Sequence, residues 1–300
     1  MATAAEWAAG ARPRTLPAAV APVLAGTAVA AFVHQQVWWK AALALLVSLL
    51  LQVGVNYAND YSDGIRGTDE ARVGPMRLVG SGAAAPSAVK RAALAAFATA
   101  AVVGLVLAAT TAWWLVALGA ASILAAWYYT GGSRPYGYLG LGEVMVFVFF
   151  GLVAVLGTTF VQVHGRGAAS SLPSPWAAAW CAAVGIGALA CAILVANNLR
   201  DIPTDRQSGK HTLAVRLGDE RTRYLYAFLV VLAAIAVLGA ASATSWWGLL
   251  GLAGLLPLAP AIRAVLSGAS GPALVPVLAR TGLGELLYAT GLFVGLLVGR

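Results

Sequence analysis

Charge is what this sequence has least of: Asp, Glu, Lys and Arg together make up 10% of its 300 residues, against 60% hydrophobic residues. A soluble enzyme is excluded at that ratio, and a disordered chain needs the opposite one. Cysteine is almost absent. Cys181 and Cys191 lie in one apolar segment without the paired spacing of a disulfide framework or a metal site, and read as core or lipid-depth residues. The 34 glycines follow no three-residue period, which excludes collagen; in membrane helices such small residues are packing surfaces. The first residues lack the early basic cluster of a cleaved signal peptide, since Arg12 and Arg14 follow Glu6 and directly precede an apolar run. The first helix is therefore expected to stay. A net charge of +8 would suggest nucleic acid in a soluble domain. In a membrane protein it asks instead which side the cations face, and no nucleic-acid partner is expected.

With a mean hydropathy of +0.82, most of this surface belongs in a lipid bilayer. Apolar segments of ~18 to 25 residues, long enough to cross one, run over 15–33, 38–60, 88–109, 112–130, 142–163, 175–198, 222–241, 246–265 and 282–299. The expected architecture is an all-α integral membrane protein, nine transmembrane helices in a single bundle forming one domain over 1–300. Pro257 and Pro260 are expected to kink the eighth helix. Charge sets the orientation. With the N-terminus cytoplasmic, all but three of the 19 Lys and Arg face the cytoplasm, the exceptions being Lys40, Arg166 and Arg300. Cytoplasmic loops retain Lys and Arg during insertion, so the N-terminus is expected inside and the C-terminus outside.

All 11 Asp and Glu fall on the cytoplasmic side of this map. Six of them form two clusters at the ends of the second and sixth helices, before the two longest loops, 61–87 and 199–221. Asn56, Asn59, Asp60 and Asp63 are spaced i, i+3, i+4, i+7, which makes one polar stripe if the helix continues. Asn197, Asp201 and Asp205, at i, i+4, i+8 with Asn198 beside them, repeat the device.

Carboxylates side by side at a membrane helix end repel one another and need cations. Mg²⁺ takes oxygen ligands and commonly bridges one or two protein carboxylates to substrate phosphates. Two such clusters on facing helices suggest a diphosphate clamped through metal ions. Asp60, Asp63, Asp201 and Asp205 are the candidate ligands, with Asn56, Asn59, Asn197 and Asn198 beside the substrate. Of the nearby cations, Arg66, Arg72, Arg77 and Lys210 rank first to hold the remaining phosphate oxygens and to stabilise a leaving diphosphate. Either cluster alone could be a solvated helix cap; their pairing favours a site.

Asn59-Asp60-x-x-Asp63 and Asp201-x-x-x-Asp205, each ending an apolar helix before a polar loop, resemble the UbiA superfamily of intramembrane aromatic prenyltransferases. Further stretches are similar to its branch acting on 1,4-dihydroxy-2-naphthoate. They are Arg12-Pro13-Arg14-Thr15-Leu16-Pro17, Gly74 to Gly82, Tyr129-Thr130-Gly131-Gly132 through Tyr138, Leu141-Gly142-Glu143, Asp205 to Gly218, and Ala279-Arg280-Thr281-Gly282. Ser133 departs from the proline more usual there. Other branches carry Tyr-x-x-x-Lys after the fourth helix, where this chain has Tyr129-x-x-x-Ser133-Arg134. Tyr129 is carried over as a catalytic candidate.

The resemblance implies Mg²⁺-dependent ionisation of a polyprenyl diphosphate in a bacterial plasma membrane, followed by attack of the naphthoate ring. Loss of CO₂ and pyrophosphate would then give demethylmenaquinone. Tyr57, Tyr61, Tyr128, Tyr129 or Trp127 would face the allyl cation, although aromatics at helix ends more often anchor the interface. His211 could assist deprotonation, with a plain loop histidine the favoured reading. Two other functions stay open at this point: transfer to another acceptor, such as 4-hydroxybenzoate or haem, and secondary transport. Transport would want its acids near mid-membrane.

Overall fold

Within hydrocarbon a backbone satisfies its polar groups only as a helix or a closed barrel, and this chain takes the first course. The computed structural model describes residues 2–67, 76–165 and 174–300; among them no strand occurs. The α-helices are α1 (Ala4–Gly10), α2 (Pro17–Phe32), α3 (Trp38–Ile65), α4 (Pro86–Ala109), α5 (Trp114–Tyr128), α6 (Gly142–Val146), α7 (Ala154–Val163), α8 (Pro175–Gln207), α9 (Leu213–Leu217), α10 (Asp219–Ser242), α11 (Leu258–Leu266) and α12 (Val275–Val298). A π-helical run, Phe147–Val153, joins α6 to α7, and a 3₁₀ run, Trp246–Leu255, precedes α11.

Six helical stretches are long and apolar enough to cross a membrane: Trp38–Ile65, Pro86–Ala109, Gly142–Val163, Pro175–Gln207, Asp219–Ser242 and Gly271–Val298. Two more qualify as pairs bent by 48°, Ala4–Thr15 with Pro17–Phe32 and Trp246–Leu255 with Leu258–Leu266. Every expected segment thus has a helical counterpart, but length alone supports up to eight crossings and not nine. The shortfall is α5, whose 15 residues span roughly 22 Å at 1.5 Å per residue, short of a ~30 Å hydrocarbon core. Val102, Leu124, Phe228, Ile235 and Leu256 are each more than half exposed, as lipid-facing side chains should be in a multi-pass membrane protein.

Both bends have local causes. Arg12 takes a left-handed φ of 54°, and Pro13 and Pro17 open the segments that follow it. The second bend lies beside Pro257 and Pro260, as expected. The helix ends, by contrast, differ from the expected 61–87 and 199–221 loops. α3 continues to Ile65 and α8 to Gln207, with α9 resuming at Leu213. The polar turns beyond the apolar runs stay helical because their carboxylate and amide side chains find partners other than their own backbone, in neighbouring segments for α3 and largely in adjacent side chains for α8. At 33 residues, α8 is about 50 Å long and overhangs a ~30 Å core. Its acidic turns lie on the overhang.

α8 is also the axis of the bundle, with 72% of its apolar stretch buried, more than in any of the other five unbroken spans. Its alanines, among them Ala179, Ala183 and Ala192, pack into one core with Val29 of α2, Tyr226 and Val237 of α10 and Leu292 of α12. Association in lipid depends on close van der Waals contact, and Gly151 shows how close: a Cβ there would sit 2.7 Å from Gly187 Cα. The π-helical run and α8 meet backbone to backbone.

Candidate active site

Because α3 stays helical to Ile65, Asn56, Asn59, Asp60 and Asp63 share one face, and all four are buried. Their partners come from distant parts of the chain. The N–H groups of Leu78 and Val79 donate to Asp60 Oδ2 (2.8 Å) and Oδ1 (3.0 Å), so this carboxylate pins the 78–79 turn onto α3. Arg12 lies close enough for its charge to act on Asp60. Asp63 sits among donors: the Tyr138 hydroxyl bonds its Oδ1, Lys210 Nζ is 3.6 Å from the same oxygen, and Arg77 Nη2 is 3.8 Å from Oδ2. Asn59 accepts from Thr130 Oγ1 (2.7 Å). Asn56 donates to Ala11 O (2.9 Å) and Thr15 Oγ1 (3.1 Å), tying the amino-terminal bend to α3.

At the end of α8, Asp201 has partners on its own turn. Arg200 grips Asp201 with two bonds, Nε to Oδ1 (2.7 Å) and Nη2 to Oδ2 (2.8 Å), and also donates to Asn197 Oδ1 (2.9 Å). Asn197 Nδ2 lies 3.4 Å from Asp201 Oδ2. Asp205 accepts from Thr212 Oγ1 at 3.4 Å, while its carbonyl accepts the Lys210 N–H at 2.8 Å. Asn198 donates to Glu143 Oε1 (2.9 Å). Lys210 therefore joins the two acidic ends, its backbone on Asp205 and its ammonium against Asp63.

Other candidates land differently. Arg66 donates to the carbonyls of Thr130 and Gly132 and lies over the Tyr138 ring at 5.5 Å; it clamps the turn after α5. Tyr129, half-buried just past α5, meets Tyr136 edge to face at 5.5 Å, and its carbonyl accepts the Gly137 N–H. Burial pushes the Tyr136 phenol above its usual range, and its hydroxyl donates to Ala125 O (2.7 Å). Tyr57 donates to Trp7 O, and Tyr61 stacks on Trp127 under Lys90. His211 bonds Tyr138 O through its backbone, with its side chain exposed. Arg72 lies outside the described residues.

The four aspartates are not drawn into one tetrad. Among the described residues, no group of three or more His, Cys, Asp or Glu is gathered as for a metal ion. They form two ends bridged by a cation instead. The donor set is still of the right kind for Mg²⁺, which is held by one or two carboxylates and completed by phosphate and water oxygens. Three residues outside the expected set belong to the site: Tyr138, which touches Asp63, Arg66 and Lys210; Thr130, on Asn59; and Arg12, near Asp60. Arg12 and Tyr138 fall in stretches that carry the resemblance, but no spacing links them to α3.

The UbiA prenyltransferase family model matches residues 19–296. A 1,4-dihydroxy-2-naphthoate octaprenyltransferase of Mycobacterium tuberculosis is 54% identical over 300 residues, covering 100% of this chain and 99% of that protein. An apo UbiA homologue from Aeropyrum pernix K1 superposes with a TM-score of 0.71 at 14% identity over 92% of this chain and 97% of its own. A UbiA homologue from Archaeoglobus fulgidus, solved bound to DMAPP and Mg²⁺, gives 0.57 at 15% identity over 97% and 98%. By its sequence match along nearly all of its length, and with a fold to suit, this chain belongs to the UbiA prenyltransferase family.

Proposed function

We propose that the protein transfers a polyprenyl group from polyprenyl diphosphate to 1,4-dihydroxy-2-naphthoate, releasing pyrophosphate and CO₂ and forming demethylmenaquinol, the reduced form of demethylmenaquinone. The observation that carries the diphosphate half is Lys210, held on Asp205 and reaching Asp63, which brings both acidic ends to one place. The naphthoate half is supported by the 54% identical octaprenyltransferase.

Asp60, Asp63, Asp201 and Asp205 would hold Mg²⁺, the ion found with the archaeal homologue. When bound, it supplies neutralisation of charge on the leaving diphosphate. The chain's own donors do the rest. Arg77, Lys210 and the Tyr138 hydroxyl, now turned to Asp63, exchange that carboxylate for diphosphate oxygens and stabilise them as the allylic C–O bond breaks. Arg66 lies over the Tyr138 ring of this donor group, and Arg72 is a further basic candidate; Asn59 is held by Thr130 and Asn197 by Arg200 and Asp201. The apolar helices below keep water from the allyl cation, with Tyr129 at their edge.

The reading includes nine crossings, with α5 as a short one, the N-terminus in the cytoplasm, the C-terminus outside, and residence in a bacterial plasma membrane. Its test is turnover with naphthoate labelled at the carboxyl carbon. Label should leave as CO₂ in equal amount with pyrophosphate; a prenylated product that keeps it would sink the naphthoate reading.

A further inference from the structure

Glu143 opens α6 and is 7% exposed. Asn198 donates to its Oε1 at 2.9 Å, while Oε2 is enclosed with no hydrogen-bond partner among the described residues. An enclosed acceptor left without a donor is costly and asks for a reason. Its surroundings supply one. Asn198 follows Asn197, which bonds Asp201 and Arg200. The preceding Gly142 packs under Tyr129 and Leu194, whose hydroxyl and Cδ2 lie 3.4 and 3.3 Å from where a Cβ would stand. Both of those side chains are half-buried, so the rim over the start of α6 is the accessible part of this wall. Among the described residues the buried carboxyl of Glu285 on α12 also lacks hydrogen-bond partners, and none links it to the acidic ends.

We propose that Glu143 takes the hydroxyl proton of the aromatic acceptor as the ring attacks the prenyl carbon, the ring entering between Tyr129 and Leu194. The inference rests on the function proposed above in needing an acceptor with a ring hydroxyl; the step is written for a naphthoate attacked at its carboxyl-bearing carbon, and an acceptor attacked at a C–H carbon would release that ring proton in place of CO₂. As the new C–C bond forms, the allylic C–O bond gives its electron pair to pyrophosphate, and the O–H pair becomes part of a ring ketone beside the quaternary carbon. Glu143 holds the proton. Loss of CO₂ returns the C–C pair to the ring, the ketone oxygen recovers the proton from Glu143, and no net proton is exchanged. A side chain that accepts and returns one proton suits a closed pocket beside a cation.

The test is Glu143→Gln, which keeps an oxygen for Asn198 and removes the proton acceptor. The wild type is assayed first with naphthoate and with 4-hydroxybenzoate, and the variant is run on whichever acceptor is used. Failure on naphthoate alone then overturns the acceptor assignment and leaves the inference standing. Expected is a fall in kcat of about 10²-fold or more with KM for the prenyl diphosphate unchanged. Activity should partly recover with a ring-fluorinated acceptor whose hydroxyl is more acidic. If the Gln variant does not fold, Glu143→Asp serves, with a smaller fall and the same recovery. Turnover within threefold of wild type in either folded variant, or a loss that appears in the diphosphate KM alone, would overturn the proposal.

Discussion

Asp60 and Asp63 at the end of α3 take their partners from four other places, the 77–79 turn, Tyr138, Lys210 and the neighbourhood of Arg12, whereas Asp201 at the end of α8 is bonded within its own turn by Arg200 and Asn197. The two ends echo each other in sequence and differ in wiring. The first organises the surrounding segments; in the second, Arg200 and Asn197 hold Asp201 on one turn of an overhanging helix. A buried carboxylate serves as such a hub only where every oxygen is met by a donor, and Asp60 illustrates this, with one backbone N–H on each oxygen.

The largest expected effect is common to both ends. Asp63→Asn and Asp201→Asn should each cut turnover by about 10²–10³-fold, and EDTA should silence the wild type until Mg²⁺ is restored. Full activity in chelator would end the metal-bridged reading. The two variants should then part in hydrogen exchange. Asp63→Asn releases protection over residues 76–82 and 208–212, and Asp201→Asn leaves both segments as they were; equal release would erase the difference in wiring.

A smaller effect is expected of Lys210→Met, about tenfold in kcat/KM for the diphosphate, because one charged donor is lost while Arg77 and Tyr138 remain. Both ends must also face one side. A phosphatase fused after Arg300 should be active and one placed within 61–87 inactive, and the reverse would turn both ends away from the cytoplasm. The smallest effect belongs to Arg223, outside both ends, which donates to Val265 O (2.5 Å) and Ala269 O (2.9 Å) and pairs with Asp219. Arg223→Met should lower stability by ~1.5–3 kcal/mol, read by thermal unfolding in detergent, with kinetic constants unchanged.

The acidic stripe was legible because helical periodicity is local: Asn56, Asn59, Asp60 and Asp63 fall on one face by arithmetic alone, provided the helix continues, and it does. The apolar segments were legible from length. The wiring was not, because it joins residues far apart in the chain. Nothing near Asp63 names Tyr138 as its partner, and nothing near Arg66 says that it clamps Thr130 and Gly132. The helical overhang of α8 was hidden for a related reason. Asn, Asp and Pro203 read as loop formers, yet those turns are helical, with Asp201, Asp205 and Asn198 bonded to Arg200, Thr212 and Glu143.

The most direct test of the shared site is calorimetric binding of pyrophosphate with Mg²⁺ to the wild type, Asp63→Asn, Asp201→Asn and the double variant. If the two ends hold one diphosphate together, each single change abolishes metal-dependent binding and the double variant loses no more than either, a strongly non-additive cycle. Losses that simply add, or binding that survives either change, would contradict a diphosphate clamped between α3 and α8.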